Sequence, residues 1–241
     1  MRGNMKAYRY LIFDVDDTLL DFGRAFHGAQ RDMSSLLGKE YSEEYIKTAE
    51  ACGYRAWNEC GMGDVSSPEV QRNYHTLYYE YLRRQCRYLC QTFESDISED
   101  ALTECYIWSI SGSRVPMEQD TLEVYRRLSE KYRMVLATNG MTDIQTARTI
   151  DFMSCTHSLF ISQSVGAIKP TGEFFGHVLE QLGCEAAECL MVGDSLSGDI
   201  AGAKAAGMDA CWYNPKGKPL TGDTAPDHII KRISELESML L

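Results

Sequence analysis

A chain of 241 residues can bury one large core or two modest ones. Its 44% hydrophobic and 24% charged residues are ordinary for a globular protein, and a net charge of −11 without a basic patch argues against binding a nucleic-acid polymer or an anionic membrane. Nine cysteines fit no zinc-ligand spacing and are read as reduced thiols, and no apolar run reaches the length of a membrane span, so a cytoplasmic location is the expectation.

The first residues run almost directly into YRYLIFDVDDTLL, Tyr8 to Leu20, with no recognisable signal peptide. Leu11, Ile12 and Phe13 form a buried strand that stops at Asp14, Asp16 and Asp17. Strand side chains alternate, so Asp14 and Asp16 point the same way if the extended conformation persists. Two carboxylates aimed at one point need a cation or a proton between them, which suggests a divalent metal beside an acid/base pair. The strand's carboxyl end is where open α/β sheets bind their ligands.

From Phe22 to about Gly112 no strand pattern appears. Apolar periodicity predicts helices over 22–37, 43–59, 68–93 and 99–110, with Ser67 before Pro68 and Ser98 as starting signals. Tyr74, Leu77, Tyr78, Tyr81 and Tyr88 are spaced to pack within a helical bundle. This segment reads as a helical insert that interrupts the α/β domain and hangs over its carboxyl edge.

Four further continuous apolar runs follow: 134–137, 159–161, 190–192 and 210–213. Continuous rather than alternating hydrophobicity marks a parallel sheet covered on both faces. Helical patterns over 121–132, 172–182 and 199–206 lie between them, as βαβ crossovers require. Thr138-Asn139-Gly140 and Gly193-Asp194-Ser195 follow two of the strands, with Asp199 shortly after, and Lys169-Pro170 precedes a helix. Singly these are a turn, a cap and a solvated charge. Gathered at the edge that carries Asp14 and Asp16, they supply a nucleophile, an acid/base, a hydroxyl donor, a fixed cation and a third acid for a metal.

On these motifs the chain resembles the haloacid dehalogenase superfamily: Asp14 to Thr18, Thr138-Asn139, Lys169-Pro170, and Gly193-Asp194 with Asp199 occur in the expected order along the whole chain. The resemblance implies an α/β fold, a Rossmann-like doubly wound parallel sheet of order 5-4-1-2-3, with an inserted all-helical cap domain. The catalytic core would comprise residues 1–20 and 114–241, and the cap residues 21–113. It also implies a mechanism. Asp14 would attack the phosphorus of a phosphate monoester, and Asp16 would protonate the leaving alkoxide and then activate water. Mg²⁺ would be held by Asp14, the Asp16 backbone carbonyl and Asp194. Thr138 and the Asn139 N–H would bind the phosphoryl group, Lys169 would offset its charge, Asp199 would hold Lys169 or a metal-bound water, and Ser195 would orient Asp194.

Asp16 selects phosphoryl transfer, because the superfamily's dehalogenases and phosphonate-cleaving members carry no carboxylate two residues after the nucleophile. Hydrolase and mutase both remain open. The segment FDVDDTLLDF, Phe13 to Phe22, together with Trp212 to Pro215 and Pro226 to Ile230, resembles the pyrimidine 5′-nucleotidase branch. A sugar-phosphate phosphatase and, more distantly, a non-catalytic phospho-ligand-binding protein are the alternatives. Asp21, Phe22, Arg24, His27, Trp57 and Arg72 could line a substrate pocket or be structural. Asp17 reads as a turn residue or an outer contact of the metal, and Thr18 as a hydroxyl that fixes the loop. The expected partner is a small-molecule phosphate ester, for a monomer or homodimer.

Overall fold

The protein is described from a computed structural model over residues 8–63, 67–222 and 224–241. It divides into two compact units. One joins the described residues through Asp21 to Val115–Leu241, and the other is Phe22–Arg114.

The first unit is built on a six-stranded parallel sheet of β1 (Tyr10–Phe13), β2 (Arg133–Thr138), β3 (Thr156–Ile161), β4 (Cys189–Gly193), β5 (Asp209–Tyr213) and β6 (His228–Ile230). Their spatial order is β3-β2-β1-β4-β5-β6. The five strands anticipated from sequence keep the expected order, and β6 extends the sheet at its far edge. β1 lies between β2 and β4, where the connections diverge to opposite sides, and that divergence opens a crevice beyond the strand ends.

β1 is fully buried along all four residues because both faces are covered. Leu11 and Phe13 enter one core with Val124, Tyr125 and Leu128 of α5 (Thr121–Ser129) and with Leu236 and Leu240. Tyr10 and Ile12 enter the other with Phe174, Phe175 and Val178. The period-two alternation of one strand therefore nails both helical layers to the sheet.

α6 (Thr142–Arg148) and α7 (Ser162–Val165) follow β2 and β3, and α8 (Gly172–Leu182) matches its predicted span. The single helix expected over 199–206 is instead a wide turn, Leu196–Ile200, leading into α9 (Ala201–Ala205). Its cause is local: the N–H groups of both Asp199 and Ile200 bond the Ser195 carbonyl, at 3.0 and 3.1 Å, while the Ser195 hydroxyl accepts from Gly198 N–H. α10 (Glu235–Leu240) completes the unit.

The second unit is all-helical among the described residues. Its helices are the stretches Phe22–Leu36, Glu43–Glu59, Pro68–Thr92 and Glu99–Gly112, numbered α1 to α4 in chain order. α1 packs on α4, and α2 on α3. The inward residues recur at helical spacing: Ala25, Ala29 and Met33 on α1, and Leu102, Tyr106 and Ile110 on α4. Ser98 caps α4 by accepting from Ala101 N–H, whereas Ser67 precedes Pro68 without a side-chain cap bond. Tyr74 stacks on Tyr78, which meets Tyr81, which stands edge-on to Trp57, so the tyrosine stripe packs within the helices. Among the described residues no helix is long and apolar enough to cross a membrane.

Candidate active site

The strand ends of β1, β2 and β4 place a buried polar cluster inside the sheet unit. β1 stops at Phe13, but Asp14 N–H still bonds the Val192 carbonyl of β4, at 2.9 Å, so the backbone of Asp14 is fixed by its neighbour strand. The chain then turns back. The Leu19 and Leu20 N–H groups both bond the Val15 carbonyl. Asp17 sits at φ +60°, a left-handed conformation that Asp tolerates better than most side chains, and its N–H bonds the Leu20 carbonyl.

The Asp14 side chain is almost wholly buried. It accepts a 2.6 Å bond from Lys169 Nζ and a 3.1 Å bond from the Thr18 hydroxyl. That hydroxyl also accepts from Asp194 N–H, so Thr18 ties the β1 loop to the β4 loop. Lys169 has its three protons directed at Asp14 Oδ1, Asp199 Oδ1 (2.7 Å) and the Ala137 carbonyl (2.8 Å). The second Asp199 oxygen accepts from Ser195 N–H. Gly193 makes this possible: a Cβ there would stand 2.2 Å from Asp199 Oδ2.

Asn139 enters through its side chain. Its Nδ2 donates to the Lys169 carbonyl at 2.9 Å, and its Oδ1 accepts from Lys169 N–H at 2.8 Å. Thr138 is buried with its hydroxyl donating to the Asn139 carbonyl. Trp212 Nε1 donates to the Asp194 carbonyl, and Asp17, Asp194, Trp212 and Lys218 line a cavity of about 60 Å³. The Ser195 hydroxyl caps the turn that follows it.

Carboxylate oxygens of Asp14, Asp194 and Asp199 lie within 4.8 Å of one another. Burial, with Asp199 and Asp17 nearby, pushes the Asp194 carboxyl up to about 6. Burial also raises Asp14, against the pull of Lys169 and with Asp199 and Asp194 adding to the rise. Burial works against the charge on Lys169, but Asp14 and Asp199 outweigh it and hold the ammonium protonated well above the ordinary lysine range. Three acids with one buried ammonium leave a surplus of negative charge, and the donors are all hard oxygens, which fits a small divalent cation.

Asp16 is held separately. Its carboxylate accepts from Arg148 Nη2 at 2.6 Å and from Gln145 Nε2 at 2.8 Å, both on α6. Asp14, Asp194, Asp199 and Lys169 thus form one cluster, while Asp16 is anchored to α6. Neither Arg148 nor Gln145 stood out in the sequence. Of the side chains suggested for a substrate pocket, Trp57 packs on Tyr81, the exposed His27 Nδ1 meets the Tyr41 hydroxyl at 2.9 Å, Arg24 and Arg72 are exposed, and Asp21 and Phe22 are partly buried.

A family model described as haloacid dehalogenase-like hydrolase matches residues 8–207. The chain belongs to that family. Its curated relatives include YfnB of Bacillus subtilis (strain 168), named as a HAD-hydrolase, 31% identical over 98% of this chain and 97% of that one. The pyrimidine 5′-nucleotidase PynA of Streptococcus pneumoniae is 28% identical over 86% of this chain and 84% of its own. The N-acylneuraminate-9-phosphatase of Rattus norvegicus is 30% identical over 98% and 95% of the two chains. The crystal structure of YfnB bound to magnesium superposes with a TM-score of 0.81, covering 98% of this chain and 99% of that chain at 26% identity. As a member of this family the chain is a hydrolase.

Proposed function

We propose that this hydrolase is a Mg²⁺-dependent phosphatase that cleaves a small phosphate monoester through an aspartyl-phosphate intermediate. The observation that carries the reading is the buried Asp14–Lys169–Asp199 chain of 2.6 and 2.7 Å bonds. A fixed ammonium orients one oxygen of Asp14 and offsets the repulsion between that carboxylate and an incoming phosphate. The Asp14 oxygen attacks phosphorus as the ester P–O bond breaks. The departing alkoxide takes a proton from Asp16. Asp16 then takes a proton from water, which attacks the aspartyl phosphate, frees inorganic phosphate and restores the Asp14 carboxylate. The Thr138 hydroxyl and the Asn139 N–H donate to the phosphoryl oxygens.

Asp14, Asp194 and the Asp16 carbonyl would hold Mg²⁺, with Asp199 acting through Lys169. When bound, the ion neutralises charge shared between the nucleophile and the phosphate dianion. The helical unit, residues 22–114, is read as the cap domain, and the sheet unit as the catalytic core.

The relationship to PynA and the motif FDVDDTLLDF favour a pyrimidine nucleoside 5′-monophosphate as substrate. The longer match to N-acylneuraminate-9-phosphatase, over 98% of this chain against 86% for PynA, favours a sugar acid phosphate as the second reading. Phosphate release would be measured from UMP, dTMP, N-acylneuraminate 9-phosphate, hexose phosphates and p-nitrophenyl phosphate, with Mg²⁺ or with EDTA. The expected result is Mg²⁺-dependent release, highest with UMP or dTMP. A preference for the sugar phosphates overturns the nucleotidase assignment. Isomerised sugar phosphate without free phosphate would mark a mutase, and inertness on every ester would sink the phosphatase.

A further inference from the structure

α6 places two polar side chains where a helix of this kind ordinarily buries apolar ones. Arg148 is 1% exposed and Gln145 is 4% exposed. Burying a guanidinium is costly unless its charge is matched by a hydrogen-bonded partner. The partner here is Asp16, which lies 132 residues earlier in the chain. Arg148 takes one oxygen of the Asp16 carboxylate and Gln145 takes the other. The two donors are three residues apart, on one face of the helix. Gly140 keeps the space open, since a Cβ at that position would lie 2.9 Å from Gln145 Cγ and Nε2. The same Gln145 amide reaches the Asn139 carbonyl at 3.5 Å, joining the phosphate-binding loop to this arrangement.

The Asp16 side chain is nevertheless 24% exposed. A carboxylate has about four lone-pair sites, and two donors leave the others open. Asp16 is therefore fixed in orientation and still reachable by a substrate. We infer that Arg148 and Gln145 are positioning residues for proton transfer by Asp16, setting which of its lone pairs faces the leaving group. The inference rests on the phosphatase reading above. It goes beyond it by assigning roles to two residues outside the four motifs.

Departure of an alkoxide needs the proton from Asp16, whereas p-nitrophenolate leaves with little help. The test is kcat/KM, which covers the steps through leaving-group departure, for UMP or another alkyl phosphate and for p-nitrophenyl phosphate. It is measured in the parent, Arg148→Met, Arg148→Lys and Gln145→Leu. In Arg148→Met the alkyl ester should lose roughly tenfold to hundredfold, part of the ~10²–10⁴ that acid–base transfer supplies in full. The loss on p-nitrophenyl phosphate should be at least about tenfold smaller, and Arg148→Lys should recover part of the alkyl activity. If Arg148→Met does not fold, Gln145→Leu and Arg148→Lys carry the same comparison. Equal losses on both esters, or none on the alkyl ester, overturn the inference while the phosphatase stands. A parent inactive on both would sink the phosphatase and the inference with it.

Discussion

Lys169→Met isolates the central ion cluster. The ammonium touches Asp14, Asp199 and the Ala137 carbonyl, and the Asp199 side chain is 1% exposed. Removing one partner of a buried pair costs about 3–5 kcal/mol, because the remaining charge stays buried without its counterion. Asp199 keeps its bond from Ser195 N–H and Asp14 keeps Thr18, so the lower end, about 3 kcal/mol, is the appropriate figure. At about 2–4 °C per kcal/mol for a protein of this size, Tm should fall by about 6–12 °C. Calorimetry in EDTA at pH 7.5 would read it on the transition of the sheet unit. Adding Asp199→Asn to Lys169→Met removes one of the stranded charges. The double variant should therefore lose less than the sum of the singles, with a coupling of about 1–3 kcal/mol. A Tm unchanged by Lys169→Met, or strictly additive losses, would refute the claim that this lysine holds two carboxylates in place.

Asp14→Asn should abolish both turnover and the phosphorylated protein that intact-mass analysis detects in parent enzyme quenched with substrate; a variant that still acquires the phosphoryl group removes Asp14 as nucleophile. The Asp194 carboxyl, raised to about 6, binds a proton in the folded state at pH values where the unfolded chain has lost it. Its contribution therefore weakens the metal-free protein as pH rises from about 4 through 6, by roughly 3 kcal/mol in all. In EDTA, urea midpoints should show Asp194→Asn more stable than the parent at pH 7.5 and level with it at pH 4, with Mg²⁺ reversing the order at pH 7.5. Gly193→Ala brings a methyl into the place of Asp199 Oδ2; it should cost about 1–3 kcal/mol by urea unfolding and lower kcat more than it raises KM.

The sheet was legible because its strands are covered on both sides and so carry uninterrupted apolar runs. The four helices of the second unit were legible because their inward residues recur at three and four. α6 escaped for the opposite reason: its inward positions are Gln145 and Arg148, and only Ile144 supplies an inward apolar residue. Arginine is rarely buried, so nothing local marks Arg148 until the distant carboxylate is seen beside it. β6 is three residues at the sheet edge, too short for a hydrophobic pattern to declare itself. The polar motifs showed which residue types would gather, but not how they divide. Asp14 and Asp16 are two residues apart, yet a turn and not an extended strand follows β1, and each acid answers to its own set of partners.

Asn139 grips the peptide of Lys169 at both its N–H and its carbonyl, as a neighbouring strand would. Two loops separated by thirty residues are in this way cast as a single part. Asparagine is the side chain that can offer a donor and an acceptor from one short planar group, so aspartate in its place would set a negative oxygen against the Lys169 carbonyl. Anyone transplanting the lysine loop into another member of the family would need to carry this amide along with it, or the ammonium would arrive without an address.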